Sequence, residues 1–229
     1  MKRKIMMLVP GIMLTIVCVF GQTSPKDTEA YKAKKLIYSA AMRYNDVMVA
    51  RNALYDLMVL DPADYSLLDS LAFLYFDYRQ YASTALICKD ILARNPNHMA
   101  ALEMSAISFE NLRLYDQALK SYESLYLKQN ALITLYKITY LQLQLNRFSE
   151  FENNAKTIIA DPKATETMMV FNGADNTQQE VPMLAAIYNM QGLVAQNQGD
   201  NENAKALFDK ALEVMPDFYL AKLNRDALK

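Results

Sequence analysis

The sequence predicts an all-α fold made of tandem helix pairs, with one β-hairpin or ordered loop inserted near the C-terminal end. Glycine stands at only five positions, and good helix formers dominate after residue 22. Prolines and aromatic residues recur at a spacing of about 34 residues. The stretch "MMVFNGADNTQQEVPM" at 168–183 departs from this pattern, because it places strand-forming residues around a turn-like Asn-Gly.

The N-terminal residues have the order of a secretory signal peptide. Three basic residues at positions 2–4 precede an apolar run over residues 5–20. We therefore predict an exported, periplasmic protein that is cleaved after Gly21. Two alternatives stay open. One is a lipoprotein anchored at Cys18, and the other is a membrane anchor, although the run is shorter than the roughly 20 residues of a spanning helix.

Charge and cysteine content limit the partners and the covalent chemistry of the mature chain. Removal of residues 1–21 leaves 208 residues with 21 basic and 25 acidic side chains, a net charge of −4. Because nucleic-acid binding requires a basic face, no nucleic-acid partner is expected. Cys88 is the single cysteine left, so no internal disulfide can form. No integral membrane span is expected in the mature chain.

The periodic residues predict where each helix pair begins and ends. Pro62 and Pro96 are 34 residues apart, and each closes a helical stretch because proline cannot donate to a continuing helix. Tyr81 and Tyr115 are also 34 residues apart, and Phe148 follows after 33. Each of these aromatic residues precedes an amphipathic run. Two helices per unit at this period indicate a repeat array.

The chain resembles tetratricopeptide-repeat proteins. The clearest unit is "MQGLVAQNQGDNENAKALFDKALEVMP", followed by "ALEMSAISFENLRLYDQALKSYESLY" and by residues 65–96, whereas residues 31–62 and 131–162 match weakly. The matching residues of the first two units are Gly192, Gly199, Ala204, Phe208, Ala211 and Pro216, and Leu102, Ala106, Phe109, Tyr115, Ala118 and Tyr122. The resemblance implies a right-handed superhelical solenoid of about five antiparallel helix pairs, whose first helices line a concave groove.

The remaining segments complete the predicted domain organisation. The last stretch, "DFYLAKLNRDALK", is amphipathic and would cap the open end of the stack. We assign a signal peptide to 1–21, four helix pairs to 22–162, an insertion to 163–182, and the fifth pair with its capping helix to 183–229. The insertion follows from the 54 residues between Pro162 and Pro216, which exceed one unit by 20.

The insertion has two possible roles. It is a docking element for a partner, in which case Phe171, Asn172 and Asp175 are the candidate contacts, since loops on a rigid scaffold often carry function. Alternatively it fills a gap between two imperfectly stacked units. The second role is favoured because apolar residues of the strands are expected to be buried. These residues are Met168, Val170 and Val181.

Few residues are suited to catalysis or metal binding. His98 is the only histidine and lies at a predicted helix start, where a capping or solvated role is expected. Cys88 is expected to be a buried, inert thiol. No phosphate-binding loop, calcium loop or nucleophile elbow occurs. We therefore predict a protein that is not an enzyme, with no cofactor and no metal.

A partner-binding groove is the main functional hypothesis. The first helices of the pairs place Phe73, Phe76, Ile107, Tyr136 and Tyr140 on one face, among polar residues that include Glu103, Glu110 and Asn111. Aromatic anchors in a concave surface hold an apolar peptide or helix. The alternative is that these rings pack between units. A clamp for an acidic peptide terminus is not reproduced, since Lys32, Lys35 and Arg43 lie in the weakest unit.

These observations predict a non-catalytic scaffold or adaptor of the bacterial cell envelope that binds an envelope protein or peptide through its groove, its insertion or both. One alternative is a lipid-anchored scaffold subunit of an outer-membrane assembly. A more remote one is a hydrolase with its site beneath the insertion.

Overall fold

The computed structural model describes residues 24–174 and 177–228, so the predicted signal peptide and Cys18 lie outside the described residues. The chain divides into two compact units, and it passes from the first to the second between Ala63 and Asp64. The first unit contains a short 3-10 turn, Pro25–Asp27, and the helices α1 (Glu29–Arg43) and α2 (Val47–Leu60). Within the described residues, no helix is both long and apolar enough to cross a membrane.

The second unit contains the remaining elements. They are α3 (Ser66–Asp77), α4 (Tyr81–Arg94), α5 (Met99–Asn111), α6 (Tyr115–Gln129), α7 (Leu132–Gln144), α8 (Phe148–Ala160), β1 (Met168–Asn172), β2 (Gln178–Pro182), α9 (Met183–Asn197), α10 (Asn201–Val214) and α11 (Tyr219–Asp226). Successive helices of this unit pack on one another. The predicted all-α fold of tandem helix pairs is therefore confirmed.

The same tight turn joins the two helices of every pair. The second residue after the first helix of each pair adopts a left-handed backbone conformation; these residues are Asn45, Arg79, Arg113, Asn146 and Gly199. In the third pair the Arg113 N–H donates to the Glu110 carbonyl at 3.0 Å, and the Leu114 N–H donates to the Phe109 carbonyl at 2.9 Å. These two bonds satisfy carbonyl groups that the helix end would leave unpaired. The same backbone conformation therefore recurs between the two helices of each pair.

Replacing Arg113 by glycine is expected to stabilise the protein by about 0.5–1 kcal/mol, because its φ of 58° disfavours residues that carry a Cβ. A rise in the urea midpoint of unfolding, followed by circular dichroism, would measure this gain. Lys120→Gly is the matched control, since Lys120 is exposed within α6 and glycine there costs about 1 kcal/mol. Two changes of the same sign would contradict the explanation.

Small residues let the paired helices approach each other, as the sequence predicts. Ala106, Ala118, Ala204 and Ala211 are all fully buried. Gly192 is also buried, and a Cβ built on it would overlap the ring of Phe208, which lies on the second helix of the same pair. The close approach of α9 and α10 therefore depends on a residue without a side chain.

The inserted segment forms an antiparallel β-hairpin, which confirms the predicted hairpin. Met168 pairs with Pro182, and Val170 pairs with Glu180. The expectation that three apolar residues are buried is wrong for two of them: Val181 is fully buried, but Met168 and Val170 are 50% and 61% exposed. Side chains alternate between the two faces of a strand, so only alternate residues face the protein.

The covered face of the hairpin is attached to the C-terminal helix. The rings of Phe171 and Phe218 lie 5.4 Å apart. Gln179 holds the chain at the start of α11 with both ends of its amide: Nε2 donates to the Asp217 carbonyl at 2.8 Å, and Oε1 accepts the Tyr219 N–H at 3.0 Å. The hairpin and the last helix therefore support each other.

Candidate binding groove of the second unit

A cavity of about 390 Å³ opens between α5 and α7, above α6. Its lining includes Glu103, Ile107, Glu110 and Asn111 of α5, Tyr122 and Leu125 of α6, and Ile133 and Lys137 of α7. The cavity size falls in the range that proteins use for small ligands or parts of peptides. We call this surface the α5–α7 groove.

Helical periodicity explains why α5 supplies four lining residues. Positions 103, 107, 110 and 111 fall on one face of the helix, while Leu102 and Ala106 point to the buried side. His98 caps this helix from the position before Met99: its Nδ1 accepts the Ala101 N–H at 3.2 Å, which confirms the predicted capping role. The His98 Nε2 lies 3.2 Å from Oδ1 of Asp69.

A carboxylate between two donors fixes the floor of the groove. Glu110 Oε1 accepts from Lys137 Nζ at 2.9 Å, and its Oε2 accepts from the Tyr122 hydroxyl at 2.7 Å. Burial raises the pKa of Tyr122, and the negative charge of Glu110 raises it further. The phenol therefore stays protonated and continues to donate. These bonds connect all three helices and set the distance between the walls of the groove.

The rim of the groove keeps polar groups available for a ligand. Glu103 is exposed, and within the described part of the chain it forms no hydrogen bond or ion pair. Asn111 donates its amide to the Ile107 carbonyl at 2.8 Å, which leaves its side-chain oxygen as an acceptor. Ile107 and Ile133 add apolar surface. Apolar walls with a few polar groups suit the recognition of a peptide segment.

The structure places the five predicted groove residues in different environments. Ile107 lines the α5–α7 groove. Phe73 is 58% exposed on α3, and Phe76 is half-buried with its ring 6.2 Å from that of Tyr81. Tyr140 is half-buried, whereas Tyr136 is only 5% exposed and belongs to the core. The cavity therefore gathers one of the five predicted side chains.

The sequence patterns do not place the other seven lining residues on the groove; they are Tyr122, Leu125, Gln129, Ala131, Ile133, Thr134 and Lys137. Of these, Tyr122 was assigned only to the repeat pattern. Nothing in the sequence distinguishes Lys137 from other surface lysines. It does lie directly after Tyr136, on a helix that is expected to line the groove. Its ion pair with Glu110 spans 27 residues, and no local pattern indicates it.

The predicted insertion contacts also differ from one another. Phe171 is half-buried against Phe218, so its ring belongs to the hairpin support rather than to an open surface. Asn172 is exposed and pairs with Gln178 at the end of the hairpin. Asp175 lies outside the described residues.

A second, more polar cavity of about 530 Å³ lies among α8, α9 and α10. There the Gln191 side chain donates to Glu152 at 2.8 Å, so the one acidic group is already bonded. None of the predicted site residues lines this cavity. The α5–α7 groove is therefore the better candidate site.

The thiol of Cys88 lies in the core, as predicted. It is fully buried, and burial, with a smaller contribution from the negative charge of Asp69, raises its pKa to about 12. The thiolate that would act as a nucleophile is therefore strongly disfavoured near neutral pH. In residues 24–174 and 177–228, no group of three or more His, Cys, Asp or Glu side chains could hold a metal ion.

The fold is similar to that of solved tetratricopeptide-repeat proteins. A tetratricopeptide-repeat protein from Parabacteroides merdae ATCC 43184 is 16% identical, with a TM-score of 0.62 over 88% of this chain and 73% of that one. YrrB, described as a TPR protein with an unusual peptide-binding site, is 13% identical, with a TM-score of 0.63 over 82% and 88%. MamA is 14% identical, with a TM-score of 0.60 over 82% and 93%. No family model and no curated protein matches the chain.

Proposed function

We propose that this protein is a non-catalytic interaction module that binds a peptide segment of a partner protein in the α5–α7 groove. The observation that supports this most directly is a cavity with apolar walls and available polar groups, held open by the bonds of Glu110 to Lys137 and Tyr122. A preformed cavity reduces the entropy lost when a ligand binds.

The rigid floor and the open rim have different roles in this proposal. Ile107 and Ile133 would take an apolar side chain of the segment. The side-chain oxygen of Asn111 would accept a hydrogen bond from a peptide N–H, and the remaining N–H groups of Lys137 would donate to peptide carbonyl groups. Phe73, exposed on α3, is a further apolar contact for a longer segment. Similarity to a peptide-binding structure adds support through the shared fold.

Replacing Ile133 by aspartate is expected to weaken partner binding about tenfold, equivalent to about 1.4 kcal/mol, because the apolar wall of the groove is lost. Ile133 is 44% exposed, so the variant is expected to fold. The partner would first be captured by a photo-crosslinking residue at Asn111 and identified by mass spectrometry. Its affinity for each purified variant would then be measured by calorimetry.

Leu127→Asp is the matched control, since Leu127 is 83% exposed on α6 and does not line the cavity. Its affinity is expected to equal that of the unaltered protein. Equal weakening by both substitutions, with both proteins folded, would reject the groove as the binding surface. A crosslink that forms from Val170 on the open face of the hairpin, and not from Asn111, would assign binding to the hairpin instead.

We further propose that the protein acts in the bacterial cell envelope after export. The support is the basic start and apolar run of residues 1–21. Mass spectrometry of the mature protein is expected to find an N-terminus at Gln22. A lipid-modified N-terminal Cys18 would instead support the lipid-anchored scaffold subunit. An uncleaved chain that still begins at Met1 would contradict both the cleavage before Gln22 and the lipid anchor at Cys18.

A further inference from the structure

The charges around the α5–α7 groove are not balanced. Lys137 is engaged by Glu110 at 2.9 Å, so these two charges largely neutralise each other. Glu103 remains at the rim without a described partner and leaves the groove with one negative charge in excess. Arg113 follows α5 but does not line the cavity. The net charge of the second unit is also negative: residues 64–229 carry 20 acidic and 15 basic side chains, which gives −5.

Apolar surface lies directly beside the unpaired carboxylate. Ile107 is one helical turn from Glu103 on the same face of α5, and Ile133 lines the opposite wall. A lysine or arginine side chain has the matching chemistry, because its alkyl stem packs on apolar surface while its charged end reaches a carboxylate. The cavity of about 390 Å³ has room for a long side chain of this kind.

We infer that the α5–α7 groove selects a partner segment that carries a lysine or arginine next to an apolar residue, with Glu103 binding the cation. This inference rests on the proposed function and adds the chemistry of the ligand. An acidic segment is disfavoured, because it would meet Glu103 and Glu110 while the one lysine of the groove is already paired.

Selection of peptides by the full chain tests the inference. Phage-displayed random 12-residue peptides would be panned against the unaltered protein, against Glu103→Lys and against Ile133→Asp. Glu213→Lys is the matched control, since it makes the same charge change at an exposed position of α10 away from the groove. Circular dichroism confirms that each variant is folded before selection.

The expected result is an enrichment of lysine and arginine beside apolar residues for the unaltered protein and for Glu213→Lys. Glu103→Lys is expected to enrich acidic peptides instead, and Ile133→Asp is expected to enrich no groove-dependent sequence. For one selected basic peptide, Glu103→Gln should weaken binding about two- to fivefold at low salt, and less at high salt.

The possible failures separate the inference from the proposed function. Peptides that bind the unaltered protein and lose binding with Ile133→Asp, but show no basic enrichment and no change with Glu103→Lys, would overturn the inference and leave the groove as a binding site. Selected peptides that bind Ile133→Asp unchanged would overturn the groove itself. Failure to enrich any peptide would overturn both.

Discussion

Replacing Phe218 by alanine is expected to cost about 3–5 kcal/mol of unfolding free energy, the range found for large buried aromatic residues. Phe218 is fully buried and lies in the cluster that contains Val181 and Met183. Its ring also packs 5.4 Å from the ring of Phe171, so the substitution leaves a cavity between the hairpin and α11. The urea midpoint of unfolding measures the loss.

Tyr219→Ala is the control for this prediction. Tyr219 is the next residue and also carries a large ring, but it is 37% exposed, and its hydrogen bond to Gln179 uses the backbone N–H, which alanine keeps. We expect a loss of less than about 1 kcal/mol for this change. Similar losses for the two variants would show that the hairpin does not depend on the Phe218 ring.

The effect of Phe218→Ala should also be local. Amide hydrogen exchange is expected to quicken first in β1, β2 and α11, because these elements would keep the bonds from Gln179 but lose the contact between the Phe171 and Phe218 rings. Exchange in α5 and α6, which contribute to a different buried cluster, should change little below the global unfolding transition. Uniform acceleration throughout the second unit would contradict this division.

The hairpin shows what a local pattern can predict and what it cannot. β-Branched residues on either side of Asn172-Gly173 predict two paired strands, and the structure contains them. Which face is covered depends on Phe218 and on backbone groups 38 and 40 residues beyond Gln179. No local signal carries that information, so the burial expected for Met168 and Val170 was wrong.

Tyr136 shows the same limit within the repeats. α7 begins 33 residues after α5, so Tyr136 occupies the position that Glu103 has in the previous pair. Glu103 is exposed, whereas Tyr136 is buried in a cluster that includes residues of the hairpin and of α9. The repeat predicts the backbone position, but the elements that follow determine whether a side chain at that position is covered.

The candidate site was predicted only in part for a related reason. The helix that carries Glu103, Ile107, Glu110 and Asn111 follows from periodicity, and the structure places all four on the groove. The opposite wall and the floor depend on bonds from Glu110 to residues 12 and 27 positions away in the chain. A single sequence does not reveal such pairs, because neither partner stands out from the local pattern of its own helix.

Replacing Gly192 by valine is expected to cost about 3 kcal/mol, because a Cβ at this position would overlap Cε1 and Cδ1 of Phe208 and lie 2.9 Å from Cζ. Phe208 is fully buried, so a shift of its ring would disturb the packing of the residues around it. The urea midpoint of unfolding measures the change. Ala206→Val is the control, since it places the same side chain at an exposed position of α10 and should cost less than about 1 kcal/mol.

A double-mutant cycle would identify the Phe208 ring as the cause. Phe208→Ala alone is expected to be destabilising by about 3–5 kcal/mol, because it opens a cavity opposite Gly192. In that background Gly192→Val should cost little, since its methyl groups then occupy the space of the missing ring. The expected coupling free energy between the two positions is about 2–3 kcal/mol. Strictly additive losses would show instead that valine acts on the backbone of α9, and that contact with the ring does not limit the approach of the two helices.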